Sequence, residues 1–289
     1  MSNNLPLPVT GPFSNAQRTT LINLVRRAVQ AEILPRFRRL DRGQVTAKSG
    51  PMDLVTQADT AAEAMITRGL QIAFPHAVIV GEETAGEEDA YRAKLAEAEL
   101  GFLIDPVDGT WNFAHGLPVF GTMVAACRFG RPVFALIYDP LGHDFLWADI
   151  DSETTWVSQT GVKRPQTTRA AADLNSLIGY LELGFMPSAH RLEAAAKAQE
   201  LAHVTTLRCA AHQYRLLAQG SVDFFLATKL APWDHAAGAL LCQKAGGHAA
   251  FLDGSPYDTT TNSGYLLCAS NEKTWTQVAE HFAALKEPA

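Results

Sequence analysis

Apolar positions change their spacing repeatedly along the chain, and each change marks an expected element. Ser14 is suited to cap a helix. After it, Leu21, Leu24, Val25, Ala28 and Val29 recur at helical spacing and predict a first helix that stops near Pro35, in the basic stretch Arg36-Phe37-Arg38-Arg39. A polar segment, residues 41–53, separates it from a second expected helix over 60–74. Residues 78–80 form a short apolar run that reads as a buried strand ending at Gly81-Glu82-Glu83. A charged helix over 87–99 leads to an apolar strand over 101–104, which ends at Asp105-Pro106. Strand-like runs follow at 119–129, 133–138 and 145–148, with turn signals at Gly130-Arg131-Pro132 and Asp139-Pro140, the pattern of an antiparallel sheet. The second half alternates: helices over 190–201, 210–219 and 236–245, strands over 222–226 and 265–268, and a last helix over 271–285.

Composition narrows the reading. At 289 residues the chain is long enough for two lobes, expected as 1–150 and 151–289 with a soft boundary near 150–175. Hydrophobic residues at 47% and charged residues at 19% exclude a disordered chain or a coiled coil. Thirty acidic residues against 24 Lys and Arg leave a net charge of -6, which argues against gripping nucleic acid or an anionic membrane. No apolar run has the length of a membrane span. Residues 1–12 are polar and Pro-rich without a targeting pattern, and the four cysteines lack C-x-x-C spacing. A cytoplasmic location is the expectation.

The acidic residues carry the chemistry through their positions. Glu82 and Glu83 follow one apolar strand, Asp105 and Asp108 follow another, and Asp234 opens a helix. Strand ends are where α/β proteins gather ligands. Carboxylates that converge there repel each other unless cations neutralise them, and an all-oxygen set suits Mg²⁺. In Asp105-Pro106-Val107-Asp108-Gly109-Thr110, Pro106 stiffens the turn, and the N–H groups of Gly109 and Thr110 could face an anion. Asp-Pro and Asp-Gly are also ordinary turn pairs. An EF-hand calcium pattern is absent. The D-x-D-G-T motif of aspartyl-phosphate enzymes is one residue shorter than this D-x-x-D-G-T.

These blocks together resemble the inositol monophosphatase family of Mg²⁺-dependent, Li⁺-sensitive phosphatases. The resemblance runs from residue 48 to about 247: Asp53-Leu54-Val55-Thr56-Gln57-Ala58-Asp59, Gly81-Glu82-Glu83, Asp105-Pro106-Val107-Asp108-Gly109-Thr110-Trp111-Asn112-Phe113, His115-Gly116-Leu117-Pro118-Val119-Phe120 and Trp233-Asp234-His235-Ala236-Ala237-Gly238. It implies a layered αβαβα sandwich of mixed α and β structure, and a homodimer. It also implies a first Mg²⁺ on Glu82, Asp105 and the Val107 carbonyl, a second on Asp105, Asp108 and Asp234, and a third near Glu82. By the same resemblance Thr110, with Asp59 behind it, orients and helps deprotonate a metal-activated water for in-line attack. Asp108, Gly109, Thr110, Ala210 and Asp234 would surround the phosphate. Lys48 stands where the family has an active-site lysine, and Glu83 is expected to support the ligands.

Two departures bear on the substrate. Inositol-specific members carry a glutamate seven residues before the last metal aspartate, and here that residue is Ala227. A Gly-Ser/Thr-Ala-Ala turn is replaced by Arg208-Cys209-Ala210-Ala211, with Lys229 nearby. The expected substrate is a small phosphorylated polyol, sugar or related metabolite, with histidinol phosphate or a 3′-phosphonucleotide as alternatives. A regulatory role, contacting a macromolecular partner, is the rival from another class. Cys209 and Arg215 have the bare C-x₅-R spacing of cysteine phosphatases, but no glycine lies between them to wrap a phosphate. Trp111, Phe113 and Trp233 are expected in the core.

Overall fold

Alternate residues of two central sheets face different helical layers, and this alternation builds the molecule. The computed structural model describes residues 13–286; the polar stretch 1–12 lies outside the described residues. Helix α1 (Asn15–Ala28) starts at Ser14 through a reciprocal cap: the Gln17 N–H donates to Ser14 Oγ at 3.3 Å and the Ser14 N–H to Gln17 Oε1 at 2.9 Å. A hairpin of β1 (Val45–Gly50) and β2 (Asp53–Thr56) occupies the segment read as merely polar, and leads directly into α2 (Gln57–Ala73). Asp59 closes the cap of α2 by accepting from the Thr56 N–H at 3.0 Å.

The first sheet has the order β3 (Val78–Gly81), β4 (Gly101–Asp108), β5 (Gly121–Arg128), β6 (Arg131–Asp139), β7 (Asp144–Asp149), β8 (Thr155–Val157), β9 (Lys163–Pro165). The β3–β4 pair is parallel, joined through α3 (Glu88–Glu97), and the remaining pairs are antiparallel. The short helix α4 (Thr110–Ala114) follows β4. The second sheet is built from β10 (Ile178–Leu181), β11 (His203–Thr205), β12 (Phe224–Ala227), β13 (His248–Phe251) and β14 (Leu266–Ala269), in the order β11-β10-β12-β14-β13. Strands β8 and β9 lie past residue 150 yet belong to the first sheet; the chain changes sheets between Pro165 and Ile178.

Phe102 and Ile104 of β4 pack with α1 and α2, whereas Leu103 faces α6 (Ala210–Ala218) and α7 (Pro232–Lys244). Those two helices also cover one face of the second sheet, through Phe225 and Cys268. Phe224, Leu226 and Leu267 on its other face pack against α5 (Ser188–Ala198) and α8 (Glu272–His281). The layers are therefore α, β, α, β, α, the sandwich the resemblance implies. Because side chains alternate along a strand, Asp105 shares the Leu103 side and points toward the middle helical layer, where α7 begins. No described helix is long and apolar enough to cross a membrane.

Candidate active site

Strand β3 ends at Gly81, and the Glu82 N–H continues its parallel ladder by donating to the Ile104 carbonyl at 3.0 Å. That register sets Glu82 beside the end of β4. Asp234 arrives from the first turn of α7, behind Pro232, where the helix dipole favours a carboxylate. Oxygens of Glu82, Asp105 and Asp234 come within 4.8 Å of one another. Three residues distant in sequence thus converge because two strand ends and a helix start meet.

Asp108 closes β4. Its Oδ2 accepts from the Ala211 N–H at the start of α6 and from Cys209 Sγ at 3.0 Å. Gly109 then turns the chain with φ 86°, and a Cβ there would stand 2.9 Å from the Val119 carbonyl, so glycine is required. The turn places Thr110 over Asp59: Thr110 Oγ1 lies 3.1 Å from Asp59 Oδ1 and 2.9 Å from the Val107 carbonyl, which share its one proton. Val107 itself is fully buried beneath the cluster. Lys48, on β1, pairs with Glu82 at 3.1 Å and Glu83 at 2.7 Å.

Burial is the first cause that pushes Asp105, Asp108 and Asp234 above the usual carboxylate range; the charge of Glu82 adds to it at each. Hydrogen bonds from α6 oppose the rise at Asp108, and the Lys229 charge opposes it at Asp234. Burial likewise raises Asp59 to about 6 and Glu83 to about 7. At Lys48 burial works the other way, but Glu82 and Glu83 outweigh it and hold the ammonium above its ordinary value. Asp105 Oδ1 is buried with no hydrogen-bond partner. A buried, unpaired oxygen beside two further carboxylates fits a hard divalent cation, which would neutralise the repulsion and complete that oxygen's coordination.

Glu82, Asp108, Gly109, Thr110, Arg208, Ala210 and Asp234 all line one cavity of about 310 Å³. Of the other expected residues, Asp59 and Val107 meet the lining Thr110, Asp105 meets Glu82 and Asp234, Lys48 joins Glu82 to Glu83, and the charges of Asp234 and Glu82 act on Lys229. Sequence reasoning missed two carboxylates. Glu182 follows β10, whose register beside β12 (Leu181 opposite Leu226) sets it next to Ala227. Burial raises it to about 7. It too stands just past a strand, but that short strand was not recognised. Glu63, on α2, accepts from the Glu83 N–H at 2.9 Å and from Thr84 Oγ1 at 2.6 Å, and its carboxyl fills the space a Cβ on Gly81 would need. It anchors the loop that carries Glu82; a lone glutamate on an apolar helix face gave no signal. Trp111 also departs from expectation. It lines the cavity and is stacked on His115 at 4.0 Å, whereas Phe113 is core and Trp233 packs against Tyr91. Arg215 pairs with Asp144 rather than approaching Cys209, and burial pushes the Cys209 thiol up, so the C-x₅-R spacing forms no phosphate loop.

The chain is similar to known proteins over most of its length. The inositol monophosphatase family profile matches residues 15–287. An inositol-1-monophosphatase of Mesorhizobium japonicum is 32% identical over 250 residues, covering 82% of this chain and 87% of the relative. The Nus factor SuhB of Escherichia coli is 32% identical over 223 residues, covering 75% and 79%. The solved structure of an IMPase from Thermotoga maritima shares the fold, with a TM-score of 0.75 at 24% identity over 93% of this chain and 99% of that one. The extent of these matches, on a site already assembled from strand-end carboxylates, identifies the chain as a phosphoric monoester hydrolase that belongs to the metal-dependent inositol monophosphatase family.

Proposed function

We propose that the protein is a Mg²⁺-dependent phosphomonoesterase that hydrolyses a small phosphorylated polyol, sugar or related metabolite by direct attack of water. The observation that carries this reading is the unpaired Asp105 Oδ1 within the Glu82–Asp105–Asp234 cluster. These three carboxylates, with Asp108 and the Val107 carbonyl, would hold two or three ions. An ion held there would supply positive charge to the phosphate and leaving oxygens and would ease loss of a proton from the attacking water.

The chain's own groups handle the proton. When Thr110 Oγ1 turns its proton to Asp59 Oδ1 rather than to the Val107 carbonyl, its lone pairs are free to accept from water. Asp59, at about 6, is mostly ionised at neutral pH and close enough to that pH to take up a proton reversibly. Gly109 and Thr110, at the turn into α4, offer N–H groups to the phosphate; α4 is a single short turn and orients more than it attracts. Histidinol phosphate and 3′-phosphonucleotides are alternative substrates of the same chemistry. A regulatory role is the second reading, favoured by the 32% identity to a protein named as a Nus factor.

Phosphate release from a panel of esters, with and without Mg²⁺, tests the proposal in the wild type, Asp108→Asn and Thr110→Ala. Turnover should require Mg²⁺, and each variant should lose about 10²-fold or more. Wild-type protein that releases no phosphate from any ester with Mg²⁺ present would sink the enzymatic reading and leave the regulatory one.

A further inference from the structure

One cation on the cavity wall, Arg208, has no carboxylate partner among the described residues. Arg208 lies just before α6 with φ 53°, a left-handed conformation that crowds any side chain and favours glycine. Buried neighbours enforce it. Gln213 Oε1 accepts from the Leu207 N–H at 2.8 Å and from Thr206 Oγ1 at 2.9 Å. Asn112 Nδ2 donates to the carbonyls of Leu207 at 2.9 Å and Arg208 at 3.3 Å, and the Arg208 N–H donates to Thr206 Oγ1 at 3.1 Å. Strain held in place by its surroundings, on the wall of a site, is the kind that function maintains.

The outcome is a guanidinium 4.1 Å from the centre of the Trp111 ring, one residue beyond Thr110. Stacking uses the face of the guanidinium and leaves its N–H edge. The acceptor that edge meets is the Met52 thioether, at 3.9 and 4.0 Å, a weak one. Among the described residues no carboxylate forms an ion pair with Arg208, although Asp53, Glu82, Asp108, Glu182 and Asp234 line the same cavity. Lys229 differs: the charges of Asp234, Glu82 and Asp53 all act on it. Arg208 thus presents, from a pinned backbone, a fork of donors that meets no strong acceptor among the described residues.

We propose that Arg208 recognises a second acidic group on the substrate, a carboxylate or a further phosphate, so that small esters with two acidic ends are preferred over neutral polyol phosphates. The proposal rests on the phosphatase reading above. A planar guanidinium pairs with carboxylate or phosphate through two parallel hydrogen bonds, and a hydroxyl cannot replace that charge-assisted pair. A site built around such a group penalises ligands that leave it unpaired. The cavity of about 310 Å³ suits a metabolite of this size.

Catalytic efficiency on matched esters tests it: 3-phosphoglycerate against glycerol 3-phosphate, and fructose 1,6-bisphosphate against fructose 1-phosphate. The proteins are wild type, Arg208→Gly, which suits the backbone conformation, and Arg208→Lys, which keeps the charge. Wild type should favour the diacid of each pair about tenfold or more. Arg208→Gly should collapse that ratio through KM, and Arg208→Lys should retain part of it. A wild type without preference, or a glycine variant that slows both members equally, overturns the proposal. Calorimetric titration of the same esters into Thr110→Ala protein, with and without Arg208→Gly, separates the two readings. Tighter binding of the diacids that depends on Arg208, without turnover in wild type, sinks the phosphatase reading and leaves this one standing. Equal affinities in both proteins overturn it.

Discussion

The acidic floor of the cavity and its Arg208 wall are held by different means. On the floor, Glu82, Asp105 and Asp108 come from the ends of adjacent strands, and Asp234 from the first turn of α7, so ladder register and helix packing fix them. On the wall, residues 206–208 are pinned by the side chains of Gln213 and Asn112. Charge differs as well. Burial and then mutual repulsion raise the proton affinity of the carboxylates on the floor, while the Arg208 guanidinium on the wall has no carboxylate partner among the described residues. Regular structure holds groups whose mutual distances must stay constant, and loops hold groups that can change with the substrate.

Replacing Asp105 should break the comparison most sharply. Asp105→Asn keeps the shape of the floor but removes a central negative charge; transition-state stabilisation worth several kcal/mol is lost, so phosphate release should fall about 10³-fold or more. The same change relieves repulsion in the metal-free protein, whose melting temperature should hold or rise. A metal-free variant that melts well below wild type would show that the floor is not under electrostatic stress.

A second test uses pH. Asp59 and Glu83 titrate at about 6 and about 7 when folded, chiefly through burial, against about 4 for an ordinary carboxyl. Between those values the folded, metal-free protein keeps protons that the unfolded chain has released. Its stability therefore falls as pH rises through about 4 to 7. Metal competes with those protons, so saturating Mg²⁺ should raise the melting temperature more at about pH 8 than at about pH 5.5. At a hundredfold excess over Kd the stabilisation is about 2.7 kcal/mol. An Mg²⁺ effect that shrinks with rising pH would contradict the linkage.

The smallest effect is expected at Glu63. Glu63→Gln keeps one acceptor for the loop carrying Glu82 but weakens its grip on the Glu83 N–H and Thr84 Oγ1. The Mg²⁺ concentration for half-maximal activity should rise about tenfold, with kcat at saturating Mg²⁺ changed little. A drop in kcat without a shift in Mg²⁺ dependence would assign Glu63 a role other than positioning.

Much of the fold was legible because long apolar runs carry their own period. Helices α1, α2 and α7 and strands β4 to β7 follow from that spacing. The short strands β8 to β11 and β13 escaped because polar residues, proline or glycine interrupt or flank their few apolar positions, whereas the equally short β3, β12 and β14 are nearly continuous apolar runs; the β1–β2 hairpin escaped because its residues are mostly polar. At the site, Asp105-Pro106-Val107-Asp108-Gly109-Thr110 announced itself through its turn chemistry. Glu182 and Glu63 did not, since each is an isolated glutamate whose partners lie elsewhere in the chain.

The sequence by itself determined the family, the acid-rich strand ends and the residues able to hold a cation, because those are local patterns of residue type and spacing. Only the tertiary structure decided which carboxylates meet, that Glu182 stands beside Ala227, and that Arg208 is held over Trp111 with no ionic partner among the described residues. Those facts depend on sheet register and on packing between layers distant in sequence. Both are set by burying the apolar faces of all five layers together, which no local stretch of sequence records.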